Sequence, residues 1–223
     1  MSRKAMPSAV QIATTTKTAI LRAPAALVRL PEPELDSSSS LERCLRMRRS
    51  CRDFRAAPIA LKDVSQLLWA AQGITGLGGL RTAPSPGALY AIRPYLVAGN
   101  IAGLAPGIYR FDPEAHELVL AQAGDFRGSL VKATGDQHCV ADAAMVLVLA
   151  ANYARVAREY GQRAERLLHI EAGHIGQNVC LEATALGLGV IGLGAFRDQD
   201  VKTALSIPAR EEVVYLVAAG WRF

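Results

Sequence analysis

Nine apolar residues in a row, Ala143-Ala144-Met145-Val146-Leu147-Val148-Leu149-Ala150-Ala151, constrain the fold more than any other stretch. Side chains alternate across a β-strand, so a strand that is apolar in both directions must be covered on both faces. The run has strand length and falls well short of the roughly 20 residues needed to cross a bilayer. A central strand with helices on each side follows. With 223 residues the chain is long enough to bury that core.

The remaining pattern supplies the other elements. Strands are predicted at Pro94–Gly99, at Gly107–Phe111 and Glu117–Ala121 as a hairpin, and at Val213–Ala219 before Gly220-Trp221-Arg222-Phe223. Helices are predicted after the N-cap Ser40, through Lys62–Gln72, over Gly124–Ala133 and Tyr153–Tyr160, and from Asp198 as cap to Leu205. A long helix over Arg163–Leu186 begins charged and turns apolar from Leu167, with Ala172, Gly173 and Gly176 permitting close contact. A helix apolar on most sides is buried, and a subunit interface is an economical place to bury it. Strands and helices interleave unevenly around one hairpin, which predicts α+β with a mixed sheet rather than regular β-α-β winding.

Residues 1–40 read as an N-terminal extension, Thr-rich, then Pro-rich, then ending in Ser37–Ser40, and 41–223 as one domain. The first 20 residues lack the apolar segment of a secretory signal, so a cytoplasmic protein is expected, with no membrane partner. A net charge of +5 could suit nucleic acid, but the cations are scattered and aromatics make up only 6%, so no nucleic-acid partner is expected. The four cysteines have no zinc spacing. His169 and His174 flank Glu171 at a spacing of five, which diverges on a helix, so no metal site is expected and core or interface histidines are the better reading. Gly187-x-Gly189-x-x-Gly192 matches a dinucleotide fingerprint as text but follows a helix instead of a strand. No nucleophile elbow is present, and an organic cofactor would supply chemistry that these side chains lack.

Two stretches invite a ligand. Arg48-Arg49-Ser50-Cys51-Arg52-Asp53-Phe54 puts three guanidiniums and a hydroxyl at the end of a short amphipathic helix. Such a run is either solvated surface or a side-chain grip on a tetrahedral dianion such as phosphate. Residues 77–92 are dense in Gly, Pro and small side chains, which makes them either an ordinary connection or a loop whose backbone approaches something flat.

Taken with Leu67–Ile74, Arg81–Tyr90, Glu171–Asn178 and Gly194-Ala195-Phe196, the basic stretch resembles the FMN-dependent nitroreductase superfamily, in its SagB/ThcOx-type dehydrogenase branch. The resemblance runs from about Leu30 to the C-terminus. It implies a nitroreductase-like α+β fold, with a central mixed, mostly antiparallel sheet flanked by helices and a long buried helix at a homodimer interface. It also implies that Arg48, Arg49, Ser50 and Arg52 hold the FMN phosphate and ribityl end, with Arg222 as a second phosphate ligand. Pro84, Ser85, Pro86, Gly87 and Ala88 would reach the flavin of the other subunit. Gly192, Leu193 and Gly194 would offer backbone donors near the ring, and Gln137 would lie by its pyrimidine side.

The implied activity is ping-pong two-electron transfer from NAD(P)H to an electron-poor small-molecule acceptor, with no obligate catalytic acid or base assigned. Two other readings remain. One is a SagB-type azoline dehydrogenase acting on a peptide heterocycle, which the Glu159-Tyr160 pair weakens because that branch carries Lys-Tyr there. The other is a non-catalytic flavin-binding dimer.

Overall fold

The computed structural model describes residues 26–223. In chain order its elements are β1 (Leu27–Arg29), α1 (Leu41–Met47), β2 (Ile59–Ala60), α2 (Leu61–Gln72), β3 (Ile74–Gly76), β4 (Leu80–Arg81), β5 (Ile92–Ala98), β6 (Ile101–Ala102) and β7 (Gly107–Asp112). They continue as β8 (Glu117–Ala123), α3 (Arg127–Ala133), α4 (His138–Asp142), β9 (Met145–Ala151), α5 (Tyr153–Tyr160), α6 (Ala164–Ala185), β10 (Gly189–Leu193), α7 (Asp198–Leu205) and β11 (Glu212–Gly220).

Seven strands form one sheet in the order β1-β8-β7-β5-β9-β11-β10, and every pairing in it is antiparallel. Parallel pairing occurs outside it, between β2 and β6, and in a single bridge from Ser50 to Val190. The apolar run is β9, at the centre and buried along its whole length. Its alternation sorts the core into two layers. Met145, Leu147, Leu149 and Ala151 face the layer that contains α2 and α6, while Val146, Val148 and Ala150 face the layer that contains α3, α4 and α7. The structure is thus the α+β, mostly antiparallel sheet between helices that the resemblance implies; the residue pattern by itself predicts a mixed sheet, and the parallel pairing it needs is confined to β2–β6 and one bridge.

Helix α6 buries Leu168, Ala172, Ile175, Val179 and Ala183, a stripe at helical spacing. Its opposite side is not buried within the chain. Ile170 is 49% exposed, and Gly173, His174 and Gln177 stand open beside it. His169 and His174 lie on this open side, so neither is a core residue, and His169 meets the Tyr153 hydroxyl at 3.1 Å. No helix among the described residues is long and apolar enough to cross a membrane, and no cluster of three His, Cys, Asp or Glu there could hold a metal.

Several elements depart from the pattern. Of the expected extension, residues 1–25 lie outside the described residues, while 26–40 run along the body. β1 pairs with β8, and Glu34 exchanges two hydrogen bonds of 2.9 Å with Gln66 of α2. The glycine-rich passage Gly187–Gly194 is itself largely strand, as β10, because its apolar members Val190, Ile191 and Leu193 are buried at the sheet edge. Asp198 opens α7 but does not cap it through its side chain; the cap position belongs to Arg197. The helix expected from Gly124 starts only at Arg127, since Gly124 has φ +121°.

Candidate functional site

After α1 the chain crosses to the outer edge of the sheet. The Arg48 N–H closes α1 on the Cys44 carbonyl at 2.9 Å, and the Cys51 N–H then bonds the Val190 carbonyl at 2.9 Å. Phe54 bridges Arg222, and Arg55 donates to the carbonyls of Trp221 (2.8 Å) and Arg222 (2.7 Å). The basic stretch is thereby stitched to the start of β10 and the end of β11. Gly189 makes the close approach possible, since a methyl there would lie 2.8 Å from the Cys51 sulfur.

Arg49, Ser50, Arg52 and Arg222 come together around a cavity of about 360 Å³, closed by Thr184 and Leu188 and bordered by one acid, Asp53. Among the described residues, the ion pairs use Arg93, Arg127, Arg197, Lys202 and Arg210; none involves Arg48, Arg49, Arg52 or Arg222. Guanidiniums gathered without carboxylate partners favour an anion between them. Two members of the expected set differ from the rest. Arg49 already donates to the carbonyls of Arg46 (3.1 Å) and Arg48 (2.7 Å), which satisfies the end of α1. Arg48 does not line the cavity; its charge bears instead on Cys180 and Tyr215, at the α6 side of the sheet.

β10 is the last strand of the sheet, so one of its edges faces outward. Val190 turns its carbonyl to Cys51 on that edge, and alternation along β10 puts the peptide groups of Gly192 on the same side, one residue before the strand ends at Leu193. At ~3.3 Å per residue, Gly189 to Gly194 spans roughly 16 Å. At the far end the Gln137 amide donates to the Ala195 carbonyl at 2.9 Å and to the Thr134 carbonyl at 3.0 Å, holding the segment after β10 in place. The outer edge of β10 therefore runs from the arginine cavity, which reaches Gly189, to the outward peptide groups of Gly192. Tyr215 of β11 packs behind it. A methyl on Gly192 would stand 1.9 Å from the Tyr215 hydroxyl, and one on Gly176 2.4 Å from its ring. Burial pushes the Tyr215 phenol up, opposed by Arg48.

The second expected contact region, Pro84–Ala88, lies elsewhere on the same helix. The Ser85 hydroxyl donates to Glu171 at 2.8 Å, and Glu171 precedes Thr184 by about 20 Å along α6 at 1.5 Å per residue. Within one chain the structure therefore does not bring Pro84–Ala88 to the arginine cavity. The loop is strained: Gly87, Ala88 and Tyr90 all have positive φ, at +59°, +51° and +46°. Clamps flank it. Thr82 bonds Gly73 and Trp69, the Asn178 amide donates to the Thr82 carbonyl, and Arg81 reaches Gln72 at 2.8 Å with its guanidinium 4.6 Å above the Tyr90 ring. Gly87 lies against the Tyr160 hydroxyl, where a methyl would stand at 2.8 Å. Burial pushes the Glu171 carboxyl up, while Ser85 and the charges of Arg81 and Arg155 pull it down.

Glu171, Tyr215, Gly176 and Arg81 belong to these sites without having been singled out for them by the sequence reading. One signal was available for Glu171, an acid set in the otherwise apolar part of a long helix. Tyr215 had none, because its neighbours are distant in sequence.

The family model described as nitroreductase family matches residues 45–221. A protein of Methanocaldococcus jannaschii provisionally described as nitroreductase MJ1384 is 39% identical over 193 residues, covering 86% of this chain and 95% of its own. A solved structure from Ralstonia eutropha, also provisionally described as a nitroreductase, is 33% identical with a TM-score of 0.79, covering 92% of this chain and 95% of that one. Another so described, from Anabaena variabilis, is 29% identical with a TM-score of 0.80, covering 89% of this chain; this chain spans only 42% of the Anabaena protein.

Proposed function

This chain belongs to the nitroreductase family, and from that premise we propose that it is an FMN-dependent NAD(P)H oxidoreductase that reduces an electron-poor small molecule by ping-pong two-electron transfer. The observation that carries the reading is the cavity at the start of β10, where guanidiniums lacking carboxylate partners meet the outer edge of a glycine-bearing strand. FMN fits that polarity: a dianionic phosphate, a flexible ribityl chain and a planar ring edge rich in acceptors.

In this reading Arg52 and Arg222 hold the phosphate with the Ser50 hydroxyl. Arg49 adds charge while its donors serve α1, and Arg48 lies nearer the ring end. The peptides of Gly192 and Gly194, with Leu193 between them, present donors to the ring edge, and Gln137 keeps them in place through Ala195. Bound FMN would supply the redox chemistry, taking electrons from NAD(P)H and passing them to the acceptor. Donors fixed on a rigid strand stabilise negative charge developing at the ring without reorganising. The protein positions and tunes, and no side chain is assigned as acid or base.

A homodimer completes the reading. The open side of α6 continues onto exposed Leu41, Leu45 and Met47 of α1, and the distance along α6 between the loop and the cavity calls for a second copy to bring them together.

The test is direct. Purified protein should be yellow, release FMN and not FAD on denaturation, and be bleached by NADH or NADPH and recoloured by a nitroaromatic or quinone. Colourless protein that fails to bind added FMN, or bound FMN that neither nicotinamide reduces, overturns the reading. Turnover confined to an azoline peptide would transfer the protein to heterocycle oxidation.

A further inference from the structure

We propose that Ser85 and Glu171 form an intrachain clamp that sets the shape of the Pro84–Ala88 loop, so that Ser85 is a positioning residue and the loop meets the flavin through its backbone. The inference rests on the FMN reading above and assigns residues within it.

The geometry commits the Ser85 hydroxyl twice. It donates to Glu171 Oε2 at 2.8 Å and accepts the Tyr90 N–H at 2.9 Å. A hydroxyl has one donor, and here the donor is spent inside the chain. The second bond links the first residue of the turn to the residue that closes it, across Gly87 and Ala88 with their positive φ, and the first ties that residue to α6. A non-glycine residue in that region costs about 1–3 kcal/mol and persists only where its surroundings over-determine it. Ala88 and Tyr90 both pay that cost, so something must hold them.

The candidates for the hold are few. Arg81 and Thr82 fasten the chain before the turn, through Gln72, Trp69 and Gly73, and Tyr160 presses on Gly87 from outside. Arg81 also reaches across the turn, its N–H bonding the Tyr90 hydroxyl at 3.1 Å, but it grips the tyrosine side chain; the Ser85 hydroxyl is what holds the Tyr90 backbone N–H. Glu171 in turn fixes the Ser85 rotamer from the 22-residue helix α6, and is itself 0% exposed with its second oxygen, Oε1, lacking a partner. A buried carboxyl is costly to retain, and beyond Ser85 its support is the Ile92 backbone and the more distant charges of Arg81 and Arg155. Ser85 is its one side-chain hydrogen-bond partner among the described residues, which ties the carboxyl to the loop.

The test uses the full chain with and without added FMN, in Ser85→Ala, Glu171→Ala and Glu171→Gln. Glutamine keeps an acceptor oxygen for the Ser85 hydroxyl. Hydrogen–deuterium exchange at the Tyr90 amide should rise about tenfold in the two alanine variants, the value of one ordinary hydrogen bond, and stay near wild type in Glu171→Gln. With FMN present, the visible circular dichroism of the flavin should change in Ser85→Ala and Glu171→Ala and be restored in Glu171→Gln. Ser85→Ala removes one partly exposed hydroxyl and keeps the experiment decisive should Glu171→Ala not fold. Unchanged exchange and dichroism in Ser85→Ala overturn the clamp, as does Glu171→Gln behaving like Glu171→Ala. Wild-type protein that binds no FMN overturns the functional reading, while the exchange comparison still decides the clamp.

Discussion

The hydroxyl of Tyr215 stands where a side chain at Gly192 would have to be, 1.9 Å from the position of a Cβ. The two residues belong to neighbouring strands, and the ring also rests on Gly176 of α6, so the tyrosine is seated between two glycines drawn from different elements. Gly192 thus has a packing reason for its identity as well as a place on the outer edge of β10.

Gly192→Ala should therefore push Tyr215 out of its seat. Overpacking of this kind costs about 1–3 kcal/mol, and in a chain of this size each kcal/mol is worth roughly 2–4 °C in Tm. Thermal unfolding followed by circular dichroism checks the size of the loss. Adding Tyr215→Ala to Gly192→Ala should cost less than the sum of the two single changes, because they share one contact. Strict additivity would mean the ring adapts without strain.

The arginines should separate by role. Arg48→Ala with Arg52→Ala should weaken FMN binding by at least about a hundredfold, since charge-assisted hydrogen bonds contribute about 1.5–3 kcal/mol each. Tm should hardly move, because neither side chain is in the core. Arg49→Ala should show the reverse bias, with a smaller loss of FMN and a frayed end of α1, because its guanidinium serves the carbonyls of Arg46 and Arg48. Flavin fluorescence titration and thermal unfolding on the same samples read both effects.

Tyr95 should make the fold sensitive to alkali. Its hydroxyl donates to buried Glu211 at 2.7 Å beside the Arg93–Glu211 ion pair, and burial together with that bond pushes its pKa from 10.0 to about 12. Below pH 10 both folded and unfolded chains keep the proton, and the contribution is whole. As pH rises from 10 to about 12 the unfolded chain loses the proton first, so the native state binds more protons and stability falls. Tyr95→Phe should lower stability at neutral pH and flatten the fall across that window. A slope identical in wild type and variant would assign the alkaline loss to other groups.

What the sequence disclosed follows the range of the forces involved. The apolar run of β9, the periodic face of α2 and the hairpin of β7 and β8 are set by neighbours in the chain, and each lies where the pattern put it, within a few residues. β10 was harder, because glycines speak for a turn while only the sheet partner β11 makes them a strand. β1 is three residues long and owes its existence to β8 alone. At the site, Ser50 and Arg52 are legible as charge chemistry and Arg222 only through the family resemblance, and the three share a cavity. That Arg49 is spoken for by α1, and that Ser85 spends its hydroxyl on Glu171 86 residues away, depends on contacts that no local pattern contains.

The outward edge of β10 carries one more consequence. An open strand edge is a template on which another chain can add itself, and proteins usually protect such edges. Here residues 50 and 51 cover the first part, and the glycine end is left bare of side chains. Whatever binds along the edge also closes that template. If FMN lies along this edge as proposed, binding it and resisting strand-to-strand aggregation become a single property of the sheet, and a mutation that abolishes FMN binding should be felt first as poor solubility.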